Sequence, residues 1–319
     1  MQTGLTRILM VVACSGVLAA GCAGDNRPSG KPETMKRGAA NDNKVILFVI
    51  DGPRHTEAFD DPAHTHVPRM WDDLRMQGAV VPQFFNNGRT LTNPGHAAII
   101  TGTWQDIAND GSERPTKPTL FEYYRKAYAV APEETYVVSG KGKLDVCSYS
   151  THPDFGAPFG ATESVGFEDD QAVFDELTAI LRKNKPRLVL ACFPTVDRTG
   201  HGRDYGGYLA AISQVDSLLH QLWLFLQDDP FYADQTYLIV TNDHGRHDEK
   251  NGGFANHGCA CDGCRRIMFM ALGPEIKAAY TASDDYDQRD ICNTVAEILE
   301  LSVLHSEGRV IEEIFKAAP

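Results

Sequence analysis

Five stretches of this 319-residue chain are continuous or nearly continuous apolar runs rich in β-branched residues: Val45–Ile50 (VILFVI), Tyr136–Ser139, Arg187–Phe193 (RLVLACF), Thr236–Thr241 (TYLIVT) and Ile267–Leu272 (IMFMAL). A strand wetted on one face alternates polar and apolar residues. A run that is apolar throughout needs cover on both faces, as in the interior of a parallel sheet. The intervals carry apolar residues at three-to-four spacing, the mark of helices with one buried face. Helices are predicted at Pro68–Gly78, where the glycine is expected as a C-cap, and at Thr119–Ala129, Gln171–Asn184, Tyr208–Gln227 and Asp290–Leu301. Strands alternating with helices give an α/β fold, a mostly parallel central sheet sandwiched by helices. No repeat, low-complexity block or linker interrupts residues 44–319, which read as one domain.

The first 43 residues belong to a different regime. Residues 1–21 hold one cation, Arg7, and no acid, followed by the apolar run Ile8–Ala20. That run is shorter than the roughly 20 residues a membrane span needs, and it fits the core of a signal peptide. Its end, Leu18-Ala19-Ala20-Gly21-Cys22, resembles a bacterial lipobox, which implies a lipid on Cys22 and attachment to a membrane facing the periplasm. Ala23 rather than Asp after that cysteine resembles enterobacterial sorting to the outer membrane. Residues 22–43 contain almost nothing to bury and read as a disordered tether, with order expected from Lys44. The net charge of −13 argues against a nucleic-acid-binding surface, which requires a basic face.

In parallel sheets the functional residues gather beyond the carboxyl ends of the strands. VILFVI runs into Asp51, RLVLACFPTV into Asp197 with His201 four residues on, and TYLIVTN into Asp243-His244; Asn256-His257-Gly258 precedes the last long strand. A single such Asp is an ordinary helix N-cap and a single such His an ordinary hydrogen-bonded residue. Three carboxylates and three imidazoles from one end of one sheet form a donor set suited to zinc-like ions, and six ligands suffice for two. Paired metals stabilise the attacking and leaving oxygens of displacement at phosphorus. Thr92, opening the segment TNPGHAAIITG with Pro94 as a helix initiator, is either a plain N-cap or a nucleophile at a helix N-terminus that favours anions.

The ordered motifs VILFVIDG, THVPRMWDDLRMQGAVV, TNPGHAAIITG, DRTGHG, TNDHGRH, ANHG and DICNTVAEILEL span nearly all of residues 44–301. Together they resemble the alkaline phosphatase superfamily, in particular its type I phosphodiesterase/nucleotide pyrophosphatase-like branch. The resemblance implies a phosphohydrolase acting on a small phosphate ester. One zinc would be held by Asp51, Thr92, Asp243 and His244, and the other by Asp197, His201 and His257. Thr92 would carry the phosphoryl group covalently. Superfamily sulfatases have a formylglycine precursor and an Arg where this chain has Thr92 and His96, which speaks against that chemistry. The large inserted domain of the phosphoglycerate mutases does not fit between Thr92 and Asp197. The branch's oxyanion-stabilising Asn is matched by Asn109, in a shortened loop.

Two further features bear on substrate and stability. Lys141 and Lys143, after the TYVV strand, resemble the Lys-x-Arg pair of periplasmic superfamily monoesterases; they either bind the extra oxygens of a monoester or form a solvated basic turn. Cys259, Cys261 and Cys264 follow His257 closely. A structural zinc there would need a further Cys or His, so a local disulfide such as Cys261–Cys264 is expected; His247 faces substrate or solvent and Cys192 is a core residue. Diester, monoester and phosphonate-ester cleavage all stay open. So does a non-catalytic lipoprotein that binds an anion or a partner on the same fold.

Overall fold

Strand β1 (Lys44–Ile50) is buried at every position and lies inside an eight-stranded sheet in the computed structural model, which describes residues 41–317. The leader and Cys22 lie outside the described residues, as does the tether up to residue 40. The remaining strands are β2 (Ala79–Val80), β3 (Phe84–Phe85), β4 (Thr135–Ser139), β5 (Thr162–Val165), β6 (Leu188–Phe193), β7 (Thr236–Asn242), β8 (Phe269–Leu272), β9 (Tyr280–Thr281) and β10 (Tyr286–Asp287). The sheet order is β5-β4-β6-β1-β7-β8-β2-β9. The first five strands in that order are mutually parallel, β8 is antiparallel to both neighbours, and β3 pairs with β10 apart from the sheet.

Alternate residues of each central strand feed two separate cores. Val45, Leu47 and Val49 join Leu188, Leu190 and Cys192 on one face, beneath helices α1 (Thr92–Thr101), α2 (Leu120–Tyr128) and the late α7 (Asp290–Ile298). Ile46, Phe48 and Ile50 join Val189, Ala191 and Phe193 on the other, beneath α3 (Asp170–Asn184) and α5 (Tyr205–Asp228); the short α4 (Thr195–His201) connects β6 to α5, and α6 (Asp262–Arg265) precedes β8. Burial on both faces is the physical origin of the unbroken apolar runs. The helix starts follow local chemistry. Thr119 and Glu122 form a reciprocal capping box at α2, and Asp169 and Asp204 cap α3 and α5.

Two sequence expectations need correction. Residues 68–78 are not a regular α-helix: Arg69–Leu74 is a π-helical turn whose first amides donate to the buried Asp216 carboxylate, and Arg75–Gln77 is 3-10. Gly78 is extended rather than a left-handed cap. Its missing side chain is needed because a Cβ there would stand 2.2 Å from the Ala271 carbonyl oxygen. Ordered contacts also begin ahead of Lys44, since the side-chain amides of Asn41 and Asn43 both donate to the Ile298 carbonyl at the end of α7. A stretch without apolar residues can still dock this way, because a helix end leaves carbonyls unsatisfied.

Asn242, the last residue of β7, ties three chain segments together. Its Nδ2 donates to the carbonyls of Pro53 and His244, and its Oδ1 accepts the Met268 N–H at 2.7 Å, all within the buried interior. Asn242→Ala leaves these groups unpaired away from water, and a stability loss of about 2–3 kcal/mol is expected in urea unfolding. A loss below about 0.5 kcal/mol would contradict this account.

Candidate metal centre

The sheet order brings the acidic strand ends side by side. β4, β6, β1 and β7 are consecutive neighbours, so Lys141, Asp197, Asp51 and Asp243 emerge from one contiguous edge. Asp197 and His201 lie one helical turn apart on α4 and share a face. Asp51, Asp243 and His244 are completely buried, Asp197 nearly so, and His201 stands exposed at the mouth of the site.

The imidazoles converge on the carboxylates. His244 Nε2 lies 3.5 Å from Asp51 and 3.4 Å from Asp243; His201 and His257 Nε2 lie 3.3 and 3.4 Å from Asp197 and 3.1 Å from each other. The His244 and His257 rings stack at 3.8 Å. The opposite ring nitrogens are anchored on carbonyls: His244 Nδ1 on Gly245 and His257 Nδ1 on Thr90. Such anchoring fixes the tautomer and leaves Nε2 as the free donor, as in metal-ligating histidines. Burial also drives His244 well below the usual imidazole range and His257 down to about 4, so both rings are neutral and ligand-ready.

The carboxylates respond to the same enclosure. Burial raises Asp51 to about 6 and pushes Asp243 well above the carboxylate range. Asp197 is also buried, yet the Lys141 and Arg246 cations hold it far below that range. Lys141 Nζ reaches Asp51 and Asp197, each at 2.6 Å, and Thr92 Oγ1 at 3.4 Å. Asp51 Oδ1, Asp243 Oδ2 and His244 Nε2 are buried without a hydrogen-bond partner. Unpaired buried acceptors grouped this way fit a divalent cation, and two triads have donor atoms mutually within 4.8 Å: Asp197/His201/His257 and Asp51/Asp197/His244. Asp197 is common to both.

Thr92 is the first residue of α1, after Leu91 as the cap residue, and its hydroxyl is not used in capping. The first-turn amides are largely committed. Asn93 N–H donates to Asn109 Oδ1, Gly95 N–H donates to the Leu91 carbonyl, and Pro94 has none. The Asn93 and Gly95 amides of this helix start are therefore taken, and its dipole remains for an anion. Lys143 Nζ donates to the carbonyl and to the side-chain oxygen of Asn109, which draws Asn109, Lys143 and the Asn93 amide into one cluster beside Thr92.

Sequence reasoning missed two residues. Arg246, fully buried, pairs with Asp197 through its guanidinium and donates to the carbonyls of Phe254 and Ala255. His96, noted only as a departure from a sulfatase pattern, sits 3.5 Å from Asp243 with its Nδ1 2.9 Å from the Thr92 carbonyl. The signal for Arg246 was its position right after Asp243-His244-Gly245, at a strand end otherwise sealed from solvent. The expected Cys261–Cys264 disulfide does not form, and all three cysteines of that loop are free thiols.

Comparison with known proteins bears on the family and the fold. The sequence profile of the metalloenzyme superfamily matches residues 76–282. Similar sequences include the GPI ethanolamine phosphate transferase 1 of Emericella nidulans, 26% identical over 64% of this chain and 25% of that protein. The phosphopentomutase of Legionella pneumophila is 28% identical over 56% of this chain and 41% of the relative. The chain thus spans well under half the length of these relatives. Among solved structures, murine ectonucleotide pyrophosphatase/phosphodiesterase 5 aligns with a TM-score of 0.63 at 15% identity, covering 86% of this chain and 100% of the other. The phosphonate monoester hydrolase of Silicibacter pomeroyi aligns with a TM-score of 0.62 at 12% identity, covering 87% and 77%. At these identities the likeness concerns the fold.

Arg246→Met removes a cation from a site crowded with buried carboxylates. The metal-free protein is expected to lose about 3 kcal/mol of stability, and added Zn2+ to restore much of it by supplying positive charge. A denaturation midpoint unchanged by the substitution would overturn the role given to Arg246.

Proposed function

The chain belongs to the metalloenzyme superfamily, alkaline phosphatase-like in fold, and from that premise we propose that it is a two-zinc phosphoric ester hydrolase with Thr92 as nucleophile. The observation that carries this reading is the convergence of Asp51, Asp197, Asp243, His201, His244 and His257 at one sheet edge, with Lys141 joining Asp51 and Asp197 to a buried Thr92 hydroxyl that no cap uses. Asp51, Asp243 and His244, with Thr92, would hold one ion, and Asp197, His201 and His257 the other. Bound there, the two ions would lower the barrier to ionising Thr92 and stabilise the leaving oxygen.

The chain's own residues have separable tasks. Thr92 Oγ attacks phosphorus as the ester P–O bond breaks, the ester oxygen leaving with the bonding pair and taking up a proton to replace the one Thr92 gives to solvent; water then attacks phosphorus, breaks the Oγ–P bond and returns a proton to Oγ, releasing phosphate. His96 fixes the Thr92 carbonyl and so the orientation of the residue. Lys141, whose reach includes Thr92 Oγ1 and two carboxylates, supplies positive charge to a non-bridging phosphate oxygen. Lys143 and Asn109 support the same side of the substrate. Two cations beside the nucleophile favour a dianionic monoester, whereas the branch resemblance favours a diester, so the discrimination rests on Lys141.

Thr92→Ala is expected to lower turnover of an aryl phosphate by about a thousandfold or more while leaving zinc stoichiometry intact. Wild-type-like turnover in this variant would refute the assignment. For Lys141→Ala, the monoester rate is expected to fall roughly ten- to a hundredfold further than the diester rate. Equal losses on the paired substrates would count against its phosphate-binding role.

A further inference from the structure

We infer that His247, Cys259, Cys261 and Cys264 form a separate structural binding site for a zinc-class ion, outside the Asp/His centre and independent of the hydrolase reading. Donor atoms of His247, Cys259 and Cys264 lie within 4.8 Å of one another. The Cys259 and Cys264 sulfurs are 3.8 Å apart, and Cys261 adds a third thiol to the same turn. Two thiolates on one tetrahedral zinc, each at about 2.3 Å, are separated by roughly 3.8 Å. A disulfide requires sulfurs at about 2.05 Å, so the spacing observed excludes a bond and fits a shared ion.

The local chain is shaped for such a site. Cys261-Asp262-Gly263-Cys264 has the Cys-x2-Cys spacing of zinc-binding turns, and the Cys261 N–H donates to the Cys259 sulfur at 3.3 Å, a bond that favours a thiolate. Two glycines bring the turn against the segment carrying His247. A Cβ at Gly245 would stand 2.0 Å from the Gly263 carbonyl oxygen, and a Cβ at Gly263 would stand 2.5 Å from the Arg246 carbonyl oxygen. The Gly245 N–H donates to the Cys264 carbonyl across the same contact. His247 supplies the donor that the three cysteines alone lack, and its Nε2 is buried with no hydrogen-bond partner. Cys264 is buried while Cys259 and Cys261 are partly exposed, which leaves a path for entry.

Binding exchanges thiol protons for the ion. Cys259, Cys261 and Cys264 release three protons to solvent, His247 coordinates as the neutral ring, and no group changes oxidation state. The site would also brace the catalytic ring. Cys259 lies two residues after His257, its carbonyl accepts from the Thr90 hydroxyl, and the Thr90 carbonyl holds His257 Nδ1.

The test uses the full chain, isolated under reducing conditions, stripped with chelator and loaded with Co2+. Thiolate-to-cobalt charge-transfer absorption is expected, because the Asp/His centre contains no sulfur and cannot produce it. The double substitution Cys259→Ser, Cys264→Ser should abolish that band and remove one equivalent of metal while the equivalents at the Asp/His centre remain. The band is read whether or not the protein hydrolyses any ester. Absence of the band in the wild type, or its survival in the double variant, would overturn the proposal. A second measurement does not depend on the variant folding: Zn2+ should protect Cys259, Cys261 and Cys264 from alkylation in the native wild type, mapped by peptide mass. Equal labelling with and without Zn2+, or a Cys259–Cys264 disulfide in freshly isolated protein, would also overturn it.

Discussion

Three carboxylates at the ends of three adjacent parallel strands are the constraint around which the rest of this fold is arranged. Asp51, Asp197 and Asp243 are forced together by sheet order, and burial denies them water. Like charges in such a setting require cations or protons. The protein supplies Lys141 from β4 and Arg246 from beyond β7, and it lets Asp51 and Asp243 rise toward protonation while Asp197 stays ionised. Every other polar feature at this edge follows from that electrostatic demand. The imidazoles are neutral, their outer nitrogens are fixed on carbonyls, and a hydroxyl is presented at a helix start.

The central sheet was legible because it is buried twice over. VILFVI, RLVLACF and TYLIVT carry no alternation, and that absence is a stronger statement about packing than any propensity. Asp51, Asp243 and His244 were legible for a related reason: each follows a strand directly, so chain order brought them to the same edge, whereas His257 lies in the loop ahead of β8. Asp197 and His201 needed only the helical period. What escaped depended on contacts between distant segments. Arg246 reads as one more surface arginine until the loop at Phe254 and Ala255 is folded over it. Gly78 reads as a helix cap until β8 is laid beside it. The cysteine loop was read without His247, because nothing in the linear spacing shows two glycines pressing the two segments together.

Net charge proved to be a poor guide to local chemistry. A chain at −13 can attract an anionic ester only where cations dominate the near field. Here Lys141 and Lys143 lie beside Thr92, with Lys141 paired to the buried Asp51 and Asp197, so an anion drawn to this edge under the proposed function would meet these cations first.

Thr90 gives the arrangement a mechanical character. Its carbonyl holds the His257 ring, its hydroxyl holds the Cys259 backbone, and two residues later the same strand of chain becomes Thr92. The loop carrying His257 and the start of α1 are therefore tied to one short segment. In local unfolding the two would open as a single cooperative unit, so the chain is exposed to a half-assembled centre less often than independent loops would allow.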